Sequence, residues 1–380
     1  MFALLRQVLR RQVAPRSAEI DRLGEFPSDL RRSFAELGLF ALLAPLELGG
    51  MGASLTEYCQ VIETISTVDA SLGLLVQSHG TALKALLLGS SDEQRPSLCR
   101  RILDDGLLLG ICATEPHAGS DFNAISSRAD RCAGGYRLNG RKRFVTNGGV
   151  ADAYVIFART AEPRQSSGSH RGITAFCVEA GTAGLSVGKP EEKMGMRGSA
   201  TSDIIVENLV APDHCRLGQE GDGFLTFMRT LETSRPAIAA QSVGVAQGAL
   251  NAALAYAAEP RNGGSPRGEQ QAVQFLLADM ATQVEVARAF LYQTTRRLDA
   301  GESDRAASAM AKLFASDVAA RVTADAVQVF GVAGTSAEHP VERMLRDAKV
   351  LQIYEGTNQI QRLVIARQLL EQQRAQAGAE

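Results

Sequence analysis

Apolar positions recur at helical spacing at both ends of the chain, and short alternating or β-branched runs fill its middle. Residues 1 to about 108 read as helical. Asp29 to Leu37 is amphipathic and ends at Gly38, and a loop with Pro45, Gly49, Gly50 and Gly52 follows. Leu55 to Leu75 reads as one long helix and Thr81 to Leu88 as another. The character changes near Leu107. Tyr136-Arg137-Leu138 leads to Asn139-Gly140, which reads as a hairpin turn into Arg143-Phe144-Val145. Ala153–Ala158, Ile173–Val178 and Asp203–Glu207 read as strands, and Glu162 to Arg171 as a polar, mobile loop. From Gly223 the pattern is helical again. Ala237–Ala258, Gln271–Leu298, Ala306–Val329 and Asn358–Gln373 are four amphipathic, mostly Ala-rich stretches, which suggest a bundle. A short 299–305 connector favours antiparallel neighbours, whereas the 330–357 connection reads as a long loop. The expected class is α+β, mainly α. It comprises an N-terminal helical domain (1–108), a small middle β domain (109–218) and a C-terminal four-helix bundle (219–380), with no internal repeat.

At the end of the long connection stands Tyr354-Glu355-Gly356-Thr357-Asn358-Gln359. Asn358 reads as the N-cap of the last helix, with Gln361 at capping-box spacing. Ile360, Leu363, Val364 and Leu370 then form one apolar stripe. Glu355 lies just outside the helix, beside a glycine that lets backbone or a flat ligand approach. Two readings stay open from these residues: a solvated glutamate in a capping turn, or a carboxylate placed for proton abstraction.

Composition narrows the classes. The 380 residues carry 45% hydrophobic and 22% charged residues and a formal net charge of -2, which suits a globular chain and gives no reason to expect nucleic acid or an anionic membrane as partner. The six cysteines fit neither a zinc site nor a disulfide framework, and the five histidines are dispersed. The scattered cysteines fit a reducing compartment, and cytoplasm is expected. Arg6, Arg10, Arg11 and Arg16 precede any acid, as in a transit peptide, which would direct the chain to the mitochondrial matrix; an ordinary first helix, with Leu5, Val8, Leu9 and Val13 on one side, is favoured. No apolar run is long enough to span a bilayer. Rossmann and Walker glycine patterns are absent, as is a nucleophile elbow, so redox or lyase chemistry needs a cofactor held differently.

Two further segments offer ligand-facing groups. In Cys112-Ala113-Thr114-Glu115-Pro116-His117-Ala118-Gly119-Ser120-Asp121, hydroxyls flank a glycine in a loop that can present N–H groups to phosphate or to a flat ring; a capped turn is an equal reading. In Arg143-Phe144-Val145-Thr146-Asn147-Gly148-Gly149, Phe144 could cover an aromatic cofactor while Thr146 donates to it; alone, the segment reads as a core strand and turn.

Taken together, the chain resembles the acyl-CoA dehydrogenase family, closest to its short- and medium-chain members, from about residue 7 to 370. Several motifs recur in order: Thr114-Glu115-Pro116 with Ala118-Gly119-Ser120-Asp121, Phe144-Val145-Thr146-Asn147-Gly148, Lys193-Met194-Gly195-Met196-Arg197, Ser234-Arg235-Pro236, Asp325 to Gly331, Arg346-Asp347-Ala348-Lys349 and Tyr354-Glu355-Gly356-Thr357. The resemblance implies an FAD enzyme that converts an acyl-CoA thioester to the trans-2-enoyl thioester. Glu355 would take the α-proton while the β-hydrogen leaves as hydride to flavin N5. The thioester carbonyl would be held by a flavin ribityl hydroxyl and by the N–H of Glu355 itself, an oxyanion-type stabilisation. Burial under substrate should raise the Glu355 pKa towards working pH.

The resemblance also assigns positions. Ile111, Ala113, Thr114, Phe144, Val145 and Thr146 would lie along the flavin, with Gly119 and Ser120 near FAD and the pantetheine arm. Thr357 and Gln359 would contact the FAD diphosphate region, and Gln271, Gln328 and Gly331 would hold FAD across a subunit interface. Glu232 and Arg235 would lie near CoA, with Ser234, Tyr354 and Gly356 at the acyl group. It implies a homotetramer, a dimer of dimers, that passes electrons to an electron-transferring flavoprotein. The segment from Pro260 to Ser265 departs from the family's usual Arg-x-x-Phe-Gly, and Val332 replaces a common second glycine, both of which should weaken FAD binding. No arginine occurs from Asp69 to Gly80, where dicarboxylyl relatives carry one, so a neutral, somewhat polar acyl group is expected. Two rivals stand beside this reading. One is flavin chemistry on a carrier-protein-bound acyl group, or a non-dehydrogenating relative. The other is a flavin-poor homologue that acts in assembly or binding; the altered 260–265 loop motivates it, and intact Glu355, Thr114 and Thr146 argue against it.

Overall fold

A computed structural model gives the fold and describes residues 1–161, 172–260 and 265–377. The first helix, α1 (Phe2–Val8), continues through a π turn, Leu9–Val13. Leu5, Leu9 and Val13 lie fully in the core, so the apolar side of the arginine-rich start is a packing face. Helices α2 (Ser17–Leu23) and α3 (Ser28–Glu36) follow, the latter ending ahead of Gly38 at φ 75°.

The long helix expected over Leu55–Leu75 is interrupted. Helix α4 (Leu55–Ser66) starts in a complete capping box between Ser54 and Glu57 and stops at Ser66. The Asp69 carboxylate then accepts from Leu72 N–H at 3.1 Å and starts α5 (Ala70–Gly89). Helix α5 runs straight across the gap expected before Thr81. It is buried nearly all round, so its apolar pattern carries no boundary signal. Gly80 lets α4 approach, since a Cβ there would lie 2.0 Å from the Tyr58 hydroxyl. Helix α6 (Gln94–Asp104) closes this part.

His79 ties α5 to its neighbours. Its Nε2 lies 2.8 Å from Phe40 C=O and its Nδ1 accepts from Leu109 N–H at 3.1 Å. Burial lowers its pKa to about 4. The folded value lies below the usual 6.5, so the stabilisation is complete above pH 6.5 and is lost as pH falls through 4. That loss amounts to roughly 3 kcal/mol. Urea midpoints between pH 7 and pH 4 should therefore fall more steeply for the wild type than for His79→Gln; equal slopes would contradict the assignment.

The middle sheet has strand order β6-β7-β3-β2-β4-β5-β8, with β1 pairing β4 in parallel. The strands are β1 (Leu109–Cys112), β2 (Arg128–Cys132), β3 (Gly135–Thr146), β4 (Ala153–Arg159), β5 (Ile173–Glu179), β6 (Leu185–Pro190), β7 (Thr201–Pro212) and β8 (Arg216–Leu217). The strands expected around 153–158, 173–178 and 203–207 are β4, β5 and part of β7. The hairpin turn is not Asn139-Gly140: β3 runs through both residues, and the turn lies at Ala133-Gly134, with Gly134 at φ 79°. Asn139-Gly140 is an irregularity within β3 against β7. A Cβ on Gly140 would lie 2.2 Å from Ser127 Oγ, so close strand approach explains the glycine. Strand β6 was not expected, because it is an exposed edge with no apolar alternation. The polar loop 162–171 lies outside the described residues.

Helix α7 (Gly223–Ala258) begins well before the expected Ala237 and carries Pro236 inside it. Helices α8 (Gln271–Asp299) and α9 (Arg305–Phe330) match their expected spans closely. Buried alanines on α7 (Ala239, Ala246, Ala253) and α9 (Ala311, Ala315, Ala319) let these two helices pack along their length. The 330–357 connection is not a loop: Pro340 opens helix α10 (Pro340–Leu351), which packs on α7, α9 and α5. Helix α10 thus takes the fourth place in the bundle. Helix α11 (Asn358–Ala377) lies along α9, with Leu363 and Leu370 half or more exposed, so the expected apolar stripe faces outward. Among the described residues no helix is long and apolar enough to cross a membrane.

Candidate active site

Helix α10 ends at Leu351, and the chain turns sharply before α11. Glu355 is left-handed, φ 54°, and Gly356 follows at φ 90°. A glutamate in this region is uncommon and persists only where surrounding contacts over-determine it. Those contacts come from both sides. Asn358 N–H donates to Gln352 C=O at 2.9 Å, closing the turn. Gln361 Nε2 donates to Gly356 C=O at 2.8 Å and Lys312 Nζ to the same oxygen at 2.9 Å.

The cap differs from expectation. The Thr357 hydroxyl accepts from Ile360 N–H at 3.3 Å, and Gln361 N–H donates to Thr357 C=O at 2.9 Å. Thr357, not Asn358, caps α11. Gln361 reaches the turn carbonyls, so no capping box forms. Asn358 is freed for a buried role: its amide donates to Ser316 Oγ and to Asp317 Oδ1, at 2.9 and 2.8 Å.

The Glu355 carboxylate is half-buried and engaged rather than freely solvated. Ser234 Oγ, from α7, donates to it at 2.9 Å. The Gln77 side chain of α5 and the Arg235 and Lys312 cations also favour its charged form. Burial raises its pKa above the usual carboxylate value, and the Ser234 bond and the cations only partly oppose this. The Glu355 N–H donates to no group among the described residues. Beside it, the Tyr354 hydroxyl lies 2.6 Å from Gln241 Oε1, and Gln241 Nε2 holds Ala70 C=O at 2.9 Å. Glu232 and Arg235 stand one turn apart on α7 but differ in setting. Glu232 accepts from Arg305 at 2.6 Å near the surface. Arg235 is buried, and its Nε has no hydrogen-bond partner among the described residues.

The β domain meets this region through the segment between β6 and β7. Met196 Sδ lies 3.7 Å from Gln241 Nε2, and Met196 N–H donates to the Asp347 carboxylate of α10. A few residues on, Thr201 of β7 pairs with Thr146 of β3. Arg143 N–H donates to Thr114 C=O at 2.8 Å, bringing the two candidate ligand segments together. Phe144 is left-handed, φ 53°, 56% exposed, with the Arg143 guanidinium 4.7 Å from its ring centre. Ile111, Ala113, Thr114 and Thr146 are half-buried, and neither threonine hydroxyl has a hydrogen-bond partner among the described residues. Val145 points into the core, 2% exposed, so only its backbone can face a ligand. Gly119 and Ser120 are exposed on the adjoining loop. An exposed aromatic ring beside two half-buried, unengaged hydroxyls fits a flat, polar ring system such as a flavin.

Sequence reasoning missed the group that pins this loop. Glu115 and Lys142 are both buried, with Oε1 and Nζ 2.7 Å apart. Ser126 N–H and Ser127 N–H also donate to Glu115, at 2.6 and 3.0 Å. Burial alone would raise the Glu115 pKa; the Lys142 charge and these bonds outweigh it and hold the value at about 2. Lys142 sits in Arg141-Lys142-Arg143, which reads as a solvated charge run. Only the register of β3 turns its side chain inward.

Gln271, Gln328 and Gly331 cluster elsewhere. Gln271 opens α8, Gln328 ends α9 and both are exposed; Gly331, at φ 66°, lies near Arg267. Gln328 is sixteen residues beyond Lys312 on one helix, about 24 Å at 1.5 Å per residue, too far to join Glu355 of its own chain. Gln359 is exposed at the start of α11. Residues 261–264 of the altered 260–265 segment lie outside the described residues. Among the described residues no group of three or more His, Cys, Asp or Glu could hold a metal ion.

Comparison with known proteins agrees across the chain. Three domain models of acyl-CoA dehydrogenase match: the N-terminal domain at residues 1–105, the middle domain at 110–209 and the C-terminal domain at 221–370. A cyclohex-1-ene-1-carbonyl-CoA dehydrogenase of Geobacter metallireducens is 43% identical over 97% of this chain and 96% of its own. The butyryl-CoA dehydrogenase structure from Megasphaera elsdenii superposes with TM-score 0.92 at 35% identity, covering 97% of this chain and 96% of that one. A chain from a structure described as the electron transferring flavoprotein of Acidaminococcus fermentans gives TM-score 0.93 at 38% identity, with the same coverage.

Proposed function

Because the chain belongs to the acyl-CoA dehydrogenase family and is an enzyme of that class, we propose that Glu355 is its base and that it removes the α-proton of an acyl-CoA. One observation carries this reading: a glutamate held left-handed, half-buried, its carboxylate bonded by Ser234, its own N–H without a partner among the described residues. Enclosure strengthens the base, because a raised pKa narrows the gap to the weakly acidic α-carbon. The N–H of the same residue would stabilise negative charge developing on the thioester oxygen. Ser234 keeps the carboxylate aimed until substrate enters. Arg235, buried with an unengaged Nε, adds positive potential on the same side.

Thr114, Thr146 and Phe144 of the β domain would hold FAD, which when bound would supply the acceptor for the two electrons that leave with the β-hydrogen. Gly119 and Ser120 border the ring and the pantetheine arm, and the half-buried Glu232 faces CoA. The acyl group is neutral, since α5 carries Gln77, Ser78 and His79 in its middle and no arginine. The outward stripe on α11 and the remote Gln271, Gln328 and Gly331 suit a homotetramer in which each copy completes a neighbour's FAD site. An electron-transferring flavoprotein takes the electrons onward, in keeping with the Acidaminococcus neighbour.

The test is the visible spectrum of the purified protein, followed by anaerobic addition of saturated acyl-CoAs of different length and branching. A yellow protein bleached by one of them is the expected result and names the substrate class. A yellow protein that none of them bleaches, or a colourless one that FAD does not reconstitute, would overturn the reading.

A further inference from the structure

Lys312 is a fully buried lysine in a helix whose buried positions are mostly alanine. Its ammonium makes no ion pair within 4.0 Å among the described residues. Instead Nζ donates to Gly356 C=O and to Asn358 Oδ1, both at 2.9 Å. Ser316, one turn on, and Asp317 hold the amide of the same Asn358, and Asp317 also accepts from Gln352 Nε2 at 2.6 Å. Helix α9 therefore grips the 352–358 turn at both ends and at the carbonyl directly after the base.

We propose that Lys312 is a positioning residue for the reaction: it locks the left-handed Glu355–Gly356 turn and holds a positive charge behind the Glu355 carboxylate. This rests on Glu355 acting as the base. A buried ammonium is costly and is retained here without a carboxylate partner, so its use lies in the turn that it holds. The groups facing Glu355 are Arg235 from α7, Lys312 from α9, Tyr58 from α4 and its neighbour Tyr354; those facing Lys312 are Glu355, Asp317 and Arg235. Burial lowers the Lys312 pKa to about 7, so the cation predominates below that pH. In that range the cation favours the carboxylate form, and its removal should move Glu355 protonation to higher pH.

Two variants separate the hydrogen bond from the charge. Lys312→Met removes both, whereas Lys312→Gln can keep a donor near Gly356 C=O without charge. Substrate-driven flavin bleaching should slow at least tenfold in Lys312→Met, with KM changed less than about threefold, and the acid limb of its rate–pH profile should move to higher pH. Lys312→Gln should recover rate yet keep the displaced limb. Infrared titration of the Glu355 carboxylate, identified by subtracting Glu355→Gln, reads the same displacement without substrate. An unchanged titration and an unchanged limb in Lys312→Met would overturn the proposal, even if rate and flavin content fell together. Should Lys312→Met fail to fold, Lys312→Gln against wild type carries the same two readings. A wild-type protein that no acyl-CoA bleaches would refute the dehydrogenase reading alone, since the infrared titration needs no turnover.

Discussion

Glu355→Gln should give a folded, yellow protein whose flavin substrate does not bleach. The amide has nearly the shape of the carboxylate, and its oxygen can still accept from Ser234, so the turn and its neighbours stay in place. What disappears is the one group able to take the α-proton. Ser234 is a neutral hydroxyl, Arg235 is a cation with no lone pair to offer, and Lys312 Nζ is turned to Gly356 C=O and Asn358 Oδ1. The loss should approach the upper end of general-base contributions, roughly 10⁴-fold in the anaerobic bleaching rate. Stability should not fall. The folded-state pKa of Glu355 lies above its unfolded value, so the native state binds more protons and loses stability as pH rises through that window. The variant removes that partly desolvated charge and should unfold no earlier than wild type at pH 7. Bleaching at near wild-type rate would remove Glu355 from the mechanism.

Lys142→Met should be the most destabilising of the substitutions considered. Glu115 and Lys142 are buried together, and the methionine would leave a carboxylate enclosed with only serine donors. Breaking a buried pair from one side costs about 3–5 kcal/mol. Because Glu115 anchors the segment that carries Thr114, Gly119 and Ser120, flavin content should fall with stability. The pH sign is definite. Glu115 has a folded pKa depressed to about 2, so its contribution is present above the usual carboxylate pKa and is lost as pH falls through 2. Lys142→Met should lack that acid transition, and Glu115→Gln added to it should recover part of the loss. Denaturant unfolding with absorbance at the flavin band checks both. A midpoint within experimental error of wild type would show that the pair is dispensable.

The order helices, sheet, helices was legible because it rests on local pattern: a short continuous apolar run in Ala153–Ala158, helical spacing in Gln271–Leu298. The candidate base was legible too, through the ordered motifs that end at Tyr354-Glu355-Gly356-Thr357. Local signals failed where one pattern served two structures. Asn139-Gly140 carries a turn signature, yet pairing with β7 keeps β3 extended through it. The apolar pattern around Val68 hides the break that Asp69 makes, because α5 is buried on every side. Helix α10 was read as part of a loop although Pro340 marks its start.

What the sequence by itself determined is the kind of element at most positions, the three-part order, and the identity of Glu355 as the residue to test. What only the tertiary structure decided is the company these residues keep. Ser234 lies 121 residues from Glu355, Lys312 lies 44 from Gly356, and Glu115 lies 27 from Lys142. No periodicity couples such distances. Strand register and helix packing set them, by choosing which polar side chain is shut away from water with which partner, and that choice fixes the proton affinity of each.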